Sequence, residues 1–555
     1  MNRRDFMKGL AQQGARFAAA GGAIGALDGC YPRWMPRYSD QGWHNVSNTR
    51  CVDAQAIHTP KSLIELMQLV KGAEAAGVRV RPVGTGHSYS DAAFTTGWIV
   101  KTDGMQRLIP LPPTRLRAEV RGERLIALEA GMKLDKLNHE LQSHSPPLAL
   151  PNMGGWGAQS VAGVLATSTH GSGLAYGAYP SIVAALVLVA SGGRVVQLEA
   201  EDGPSDPAAF AGVVLTPDGP VAGELIQNND AFYSALVSMG TMGITYAVIL
   251  RVTDAFWLRE EREVTTWAAL IAPGGFLHSV VNHKLPTPAA DGSLPDFYQV
   301  ITEPYRAPAE RTRAVIVRRT KIPVRDVPEP HCRRRGSILL SMAAAYGRSH
   351  PDALPNLFNS DPPLAPGVLH LALKSERTRC FEGRSYDVFN EGDVNLLRGF
   401  SVEVGVALED TIAAVERLRA TAIDKLRTRT GIHSAPIALR FVKQSPAYLS
   451  PQYGRDTTMI EIFALVGVLG TDAVLRSAEV ELIESFGGRP HWGLDLNVLT
   501  GSQQLAALYP RFETWNLQRQ HWNASGVFDG ELTDRLQLSQ RPASRTDRSY
   551  VCVPL

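Results

Sequence analysis

Charge of one sign is missing from this 555-residue chain. Its 56 lysines and arginines stand against 54 acidic residues, a formal net charge of +2. That balance favours neither nucleic acid nor an anionic membrane as the main partner. Cysteine is scarce as well. Cys30, Cys51, Cys332, Cys380 and Cys552 are too few and too scattered for a disulfide scaffold or a zinc site, although one pair can bridge in an oxidising compartment. The 14 histidines form no His-Glu-x-x-His motif and no close Cys/His cluster, which argues against a metal enzyme. No internal repeat or long low-complexity linker breaks the chain. What is plentiful is glycine (50) and proline (36), the composition of an irregular, turn-rich α/β protein. Length predicts several domains.

The N-terminus reads as an address. Asn2-Arg3-Arg4-Asp5-Phe6-Met7-Lys8 precedes a mildly apolar run from Phe17 to Leu27. Two adjacent arginines before a weak hydrophobic region give the pattern of a twin-arginine export signal, spanning residues 1–30 and implying periplasmic delivery. The run is too short and too rich in Gly and Ala to span a membrane comfortably. Leu27-Asp28-Gly29-Cys30 has the outline of a lipoprotein processing site, so Cys30 is either a lipid anchor point or an ordinary residue near a peptidase cut.

Beyond it, Thr59-Pro60 offers a helix start, Leu63, Leu66, Met67 and Val70 an apolar stripe, and Gly77 a stop. Val78-Arg79-Val80-Arg81 alternates as a strand that runs into Pro82-Val83-Gly84-Thr85-Gly86-His87-Ser88. The dinucleotide fingerprint fails here, because Tyr89 holds its third glycine position and no clear helix follows. The loop can still cradle a pyrophosphate. Two glycines let consecutive N–H groups face one anion, and Thr85 and Ser88 add hydroxyls. A second small-residue segment, Gly154 to Gly173, lets backbone approach a flat ligand, while Val161, Val164 and Leu165 keep it ordered. Leu186–Ala190 and Arg194–Leu198 form a hairpin through Ser191-Gly192-Gly193. Gly240-Thr241-Met242-Gly243-Ile244 is a glycine turn feeding a strand.

Gly84-Thr85-Gly86-His87-Ser88, the run Ser160 to Gly173, and Gly243-Ile244 together resemble, in order, the flavin-binding segments of the vanillyl-alcohol oxidase superfamily. The sugar-lactone and alditol oxidases, including the gulonolactone and arabinonolactone oxidases, are the branch they resemble most. The resemblance implies an α+β fold with a PCMH-type FAD-binding domain at 45–255. A substrate domain at 256–500 and a C-terminal segment at 501–555 returning to the FAD-binding domain complete it. It implies bound FAD, bonded covalently to His87. Gly84, Thr85, Gly86, Ser88, Ser160, Gly163, Ser168, Thr169, His170, Gly171, Gly243 and Ile244 are the implied cofactor neighbours. The implied reaction is oxidation of a CH–OH group by hydride transfer to flavin N5, with a small alcohol or lactone as substrate and oxygen or another electron acceptor.

Residues 258–395 carry many Pro, Arg and loop signals, and Arg333-Arg334-Arg335 reads as a solvated face. The resemblance returns at Phe400–Glu409, Pro436–Val442, His491-Trp492-Gly493 and Leu508–Phe512. Here the sequence departs from its family. The strand that typically reads Glu-x-Arg is Ala438-Leu439-Arg440, and the expected lysine after His-Trp-Gly is Leu494. Arg440 is therefore the expected catalytic cation. The proton acceptor must come from elsewhere: Glu403, Glu461 and Asp495 are candidates, with Glu461 taken as the catalytic one. The two losses leave open a less polar substrate, such as a sterol, or a non-catalytic exported flavoprotein.

Overall fold

The computed structural model describes residues 42–541 apart from 48, 285–294, 306–310, 334–349, 351, 377 and 392–397. The stretch 1–30 expected to be an export signal, Cys30 and most of the Arg333-Arg334-Arg335 run lie outside the described residues. The fold mixes helices and strands, with three sheets that position the site.

The first sheet is small and parallel, in the order Ala56–His58, Trp98–Lys101, Val80–Val83. The helix Leu63–Ala76 packs beside it through Leu63, Leu66, Val70 and Ala73, and Gly77 ends it in the left-handed conformation. Its N-cap is Ser62 rather than Thr59. Ser62 Oγ accepts from the Glu65 N–H, and the Glu65 carboxylate reaches back to the N–H of Lys61. That reciprocal pairing satisfies two orphan donors at once, which Thr59 cannot do from three residues further out. The alternation at Val78–Arg81 also misleads, because Arg79 and Arg81 are both buried. Arg81 donates to the carbonyls of Ala92, Met239, Gly240 and Phe528. One guanidinium thus joins the first glycine loop, the Gly240 turn and the C-terminal segment.

The second sheet has six strands, in the order Glu224–Gln227, Arg194–Glu199, Val183–Ala190, Ile244–Arg251, Leu125–Glu129, Leu108–Ile109. Val183–Ala190 is buried along its whole length, as expected of a central strand covered on both faces.

The third sheet has eight strands, in the order Thr378–Arg384, Trp257–Thr266, Arg313–Ile322, Phe297–Thr302, Ile437–Val442, Thr457–Leu465, Gly399–Ala407, Arg489–Pro490. Part of what read as loop between 258 and 395 is strand, and a similar part is helix. In Trp257–Thr266 and the second half of Arg313–Ile322 the alternating apolar signal is masked because these strands pair charges. Arg319 meets buried Glu260 at 2.8 Å, Arg262 meets Glu260 at 3.0 Å, and Arg318 meets Glu263 at 2.5 Å. Residues after 500 lie against the first sheet. Val80 donates to Val527 O, Arg79 pairs with Asp534 at 2.6 Å, and Arg535 with Asp91 at 2.7 Å.

Cys332 and Cys380 form a disulfide that closes 48 residues of sequence onto the strand Thr378–Arg384. Loop-closure entropy for that separation is worth about 4 kcal/mol. Replacing both cysteines with serine should lower the unfolding free energy by up to that amount, read as a shift in the urea midpoint. A midpoint unchanged from the parent would contradict this.

A buried histidine supplies a pH test away from the site. Burial lowers the pKa of His433 to about 4. The unfolded chain therefore binds the extra proton first. The stability is fully present above pH 6.5 and is lost as pH falls from 6.5 towards 4, by roughly 3 kcal/mol. His433→Gln should flatten the urea midpoint over this window. Parallel profiles for the two proteins would sink the assignment.

Candidate functional site

Two glycine segments and the third sheet meet at one cavity of about 230 Å³. Its wall includes Gly84, Thr85, Gly86, His87 and Ser88 from the first loop, then Ser160, Gly163, Thr169 and His170. Gly243 and Ile244 close it from the second sheet. The sequence reading therefore brings eleven of its thirteen cofactor neighbours to one surface. Ser168 and Gly171 are not on it. Ser168 is fully buried, with φ at 57°, and its hydroxyl bonds Ser450 and Gln452. Gly171 packs so closely that a Cβ there would lie 2.4 Å from Asn152 Oδ1. These two residues shape the segment from behind because their neighbours already satisfy or fill their surroundings.

Local structure explains the close approach of the loops. Ser160 caps the short helix Val161–Ala166, its Oγ accepting from Gly163 N–H at 3.3 Å. A Cβ on Gly84 would stand 2.0 Å from that same Oγ. Gly86 has φ at 76°, a left-handed turn that places His87 beyond it. The first loop is also tied to the His-Trp-Gly turn: Ser88 Oγ donates to Gly493 O at 2.9 Å and Ser90 Oγ to Trp492 O at 2.8 Å. The second segment is stitched to the third sheet, with Gly173 N–H donating to Phe441 O at 2.6 Å.

His87 lies edge-on to Trp156, ring centroids 4.8 Å apart. Its Nε2 is buried with no hydrogen-bond partner among the described residues. Burial lowers its pKa below 6.5, so the ring is a neutral imidazole at pH 7.

The opposite wall is charged. Arg440 donates to Glu461 Oε2 at 2.5 Å and to Glu403 Oε1 at 3.2 Å. The register explains why three separated strands converge there. Glu461 stands directly opposite Ala438 on one side and opposite Glu403 on the other. A carboxylate missing at 438 is thus supplied from the neighbouring strand. Burial disfavours a charged Arg440, but Glu461, Glu403 and Glu391 overcome it and raise its pKa. Ser401 Oγ donates to the second Glu461 oxygen at 3.0 Å.

Glu391 joins this wall and had no local sequence signal. Its carboxylate accepts from Gln299 at 2.8 Å and Arg319 at 3.1 Å. Burial would raise its pKa, yet Arg319, Arg440 and Arg262 hold it down to about 2. Asp495 is absent from the wall: it pairs with Arg50 at 2.6 Å, and burial pushes its pKa up to about 7. Leu494 does line the cavity, as an apolar patch beside the charges.

These residues fit an FAD. Close-set glycine backbone and hydroxyls suit the pyrophosphate, and an unpartnered buried imidazole nitrogen suits a bond or contact to the ring system.

The comparisons agree. The family described as FAD binding domain matches residues 54–199, and D-arabinono-1,4-lactone oxidase matches residues 338–536. L-gulono-1,4-lactone dehydrogenase of Mycobacterium tuberculosis is 26% identical over 502 residues, 89% of this chain and 98% of that protein. L-gulonolactone oxidase of Scyliorhinus torazame is 22% identical over 88% and 98%. A solved cholesterol oxidase from B. sterolicum shares the fold at a TM-score of 0.64 and 16% identity, covering 91% of this chain and 99% of that one. The segment matched by the FAD binding domain and the segment matched by D-arabinono-1,4-lactone oxidase both line this cavity, the site of an FAD-dependent oxidoreductase.

Proposed function

We propose that the protein oxidises a CH–OH group of a sugar lactone or related polyol, with Arg440 and Glu461 as its catalytic pair and FAD bonded to His87. The observation that carries this reading is the Arg440–Glu461 contact on the same cavity wall as the glycine loops. Bound FAD supplies the hydride acceptor. Arg440 orients the substrate oxygen through its free N–H groups. Glu461, fixed by Arg440 and Ser401, takes up the hydroxyl proton. The names of the full-length relatives support the lactone class.

Leu494 and Ala438 favour a second reading, a less polar alcohol. Anaerobic bleaching of the flavin against lactones, alditols and sterols decides between them. Rapid bleaching by lactones or alditols alone supports the first reading, and bleaching by sterols alone the second. No bleaching by any of them would overturn the catalytic reading. Air reoxidation then separates oxygen from another electron acceptor.

Arg3-Arg4 and the Cys332–Cys380 bridge both support export through the twin-arginine route, since disulfides persist in oxidising compartments. Arg3→Lys/Arg4→Lys should retain the protein in the cytoplasm. Undiminished periplasmic delivery would refute this. Cys30→Ser should release the protein from membranes if that cysteine carries lipid. An unchanged membrane fraction refutes the anchor.

A further inference from the structure

His170 has an acceptor at each ring nitrogen. Its Nδ1 lies 2.9 Å from the carbonyl oxygen of Gly171, which can only accept, so Nδ1 carries hydrogen. Its Nε2 lies 3.3 Å from Glu403 Oε2, with both side chains buried. Burial works against an ionised Glu403, but His170, Arg440 and His491 outweigh it and hold the carboxyl well below the usual range. Against a carboxylate, Nε2 must donate too. The ring then carries a hydrogen on each nitrogen.

His491 makes the contrast. Its Nδ1 accepts from Gly493 N–H at 3.0 Å, and burial lowers its pKa to about 4. It is neutral, with its hydrogen on Nε2. The ligand atoms of His170, Glu403 and His491 lie within 4.8 Å of one another. A metal ion is nevertheless disfavoured there, because neither imidazole offers the cluster a free lone pair.

Charge balance gives the imidazolium a purpose. The described side chains lining the cavity include Glu391, Glu403 and Glu461, with Arg440 as the one guanidinium. His87 and His491 are kept neutral by burial. Arg319 offsets Glu391 from behind the wall, so Glu403 and Glu461 face Arg440 alone, and without a charge on His170 the lining keeps one carboxylate in excess and disfavours a ligand that gains electrons.

We propose that Glu403 holds His170 as an imidazolium, and that this cation stabilises the electron-rich reduced flavin. Glu403 is its positioning residue. The inference rests on the cavity being the FAD site. Four elements bring charged or titratable groups to His170: Glu403 on Gly399–Ala407, Arg440 on Ile437–Val442, Glu461 on Thr457–Leu465, and His491 after Arg489–Pro490.

Sulfite tests it without turnover, because its addition to oxidised flavin is favoured by nearby positive charge. In the flavin-loaded protein, His170→Gln should raise the sulfite Kd more than tenfold. Glu403→Gln should bind sulfite like the parent at pH 6 and lose affinity towards pH 8, since its imidazolium has lost its partner. His491→Asn should keep the parent's pH profile. A His170→Gln Kd within twofold of the parent, or a Glu403→Gln profile parallel to the parent's, overturns the proposal. A parent protein that carries no FAD overturns the cofactor reading along with it. A flavin-loaded variant with unchanged sulfite affinity overturns this inference alone.

Discussion

Arg440→Met should lower kcat/KM for the preferred alcohol by about 10²–10³-fold while flavin content stays at the parent level. Arg440 is the guanidinium of the cavity wall, and its contacts at 2.5 Å and 3.2 Å hold Glu461 and Glu403 in place. Removing it takes away the charge that orients the substrate oxygen. It also leaves two carboxylates facing each other across paired strands. Arg440→Lys keeps the charge but replaces a rigid fork with a single ammonium, and should recover only part of the loss. Glu403 keeps His170, but Glu461 is left with Ser401 alone, which also destabilises the fold, by at most about 3–5 kcal/mol, the figure for a broken buried pair. Arg440→Met/Glu461→Gln removes the unpaired charge and separates the two effects: stability should return and activity should not. Steady-state kinetics with the flavin absorbance ratio reads both. If Arg440→Met retains more than a tenth of the parent kcat/KM, the assignment is wrong.

The same geometry yields a swap. Because Ala438 and Glu461 are register partners, Ala438→Glu/Glu461→Ala moves the carboxylate across one strand without leaving the neighbourhood of Arg440. It should recover at least tenfold of the activity lost in Glu461→Ala. No recovery would show that the strand from which the carboxylate comes also matters.

What could be read from the sequence followed its range of interaction. The glycine loops were legible because close backbone approach demands small residues in sequence, and eleven of the thirteen expected neighbours line the cavity. Ser168 and Gly171 lie off that surface for the same reason: a motif marks a segment, while the rotation of each residue within it is set by distant partners such as Ser450 and Asn152. The carboxylates were harder. Glu403 and Glu461 sit on two strands, and only the register places them beside Arg440. Glu391 lies in no motif at all, and Arg319 and Gln299 give it its position. The strands Trp257–Thr266 and Arg313–Ile322 went unread because a charge-paired face has no apolar period to detect.

His87→Ala should release all its flavin on acid denaturation, whereas the parent should keep its flavin attached to the precipitated chain. The imidazole has what the bond requires. It is neutral at pH 7 because burial lowers its pKa, and its Nε2 lone pair has no competing partner among the described residues. Trp156 and the left-handed turn at Gly86 fix the direction of the ring. A covalent tether also changes how stability depends on the cofactor. The parent's Tm should not respond to added FAD, since its site is filled at any concentration. The Tm of His87→Ala should climb with FAD, by the equivalent of about 2.7 kcal/mol when free FAD reaches one hundred times its Kd. The two readouts fail independently. Flavin recovered wholly in the parent supernatant would remove the bond while leaving the site intact. A His87→Ala protein whose Tm ignores FAD would mean that the glycine loops, from which the cavity was first inferred, do not bind it.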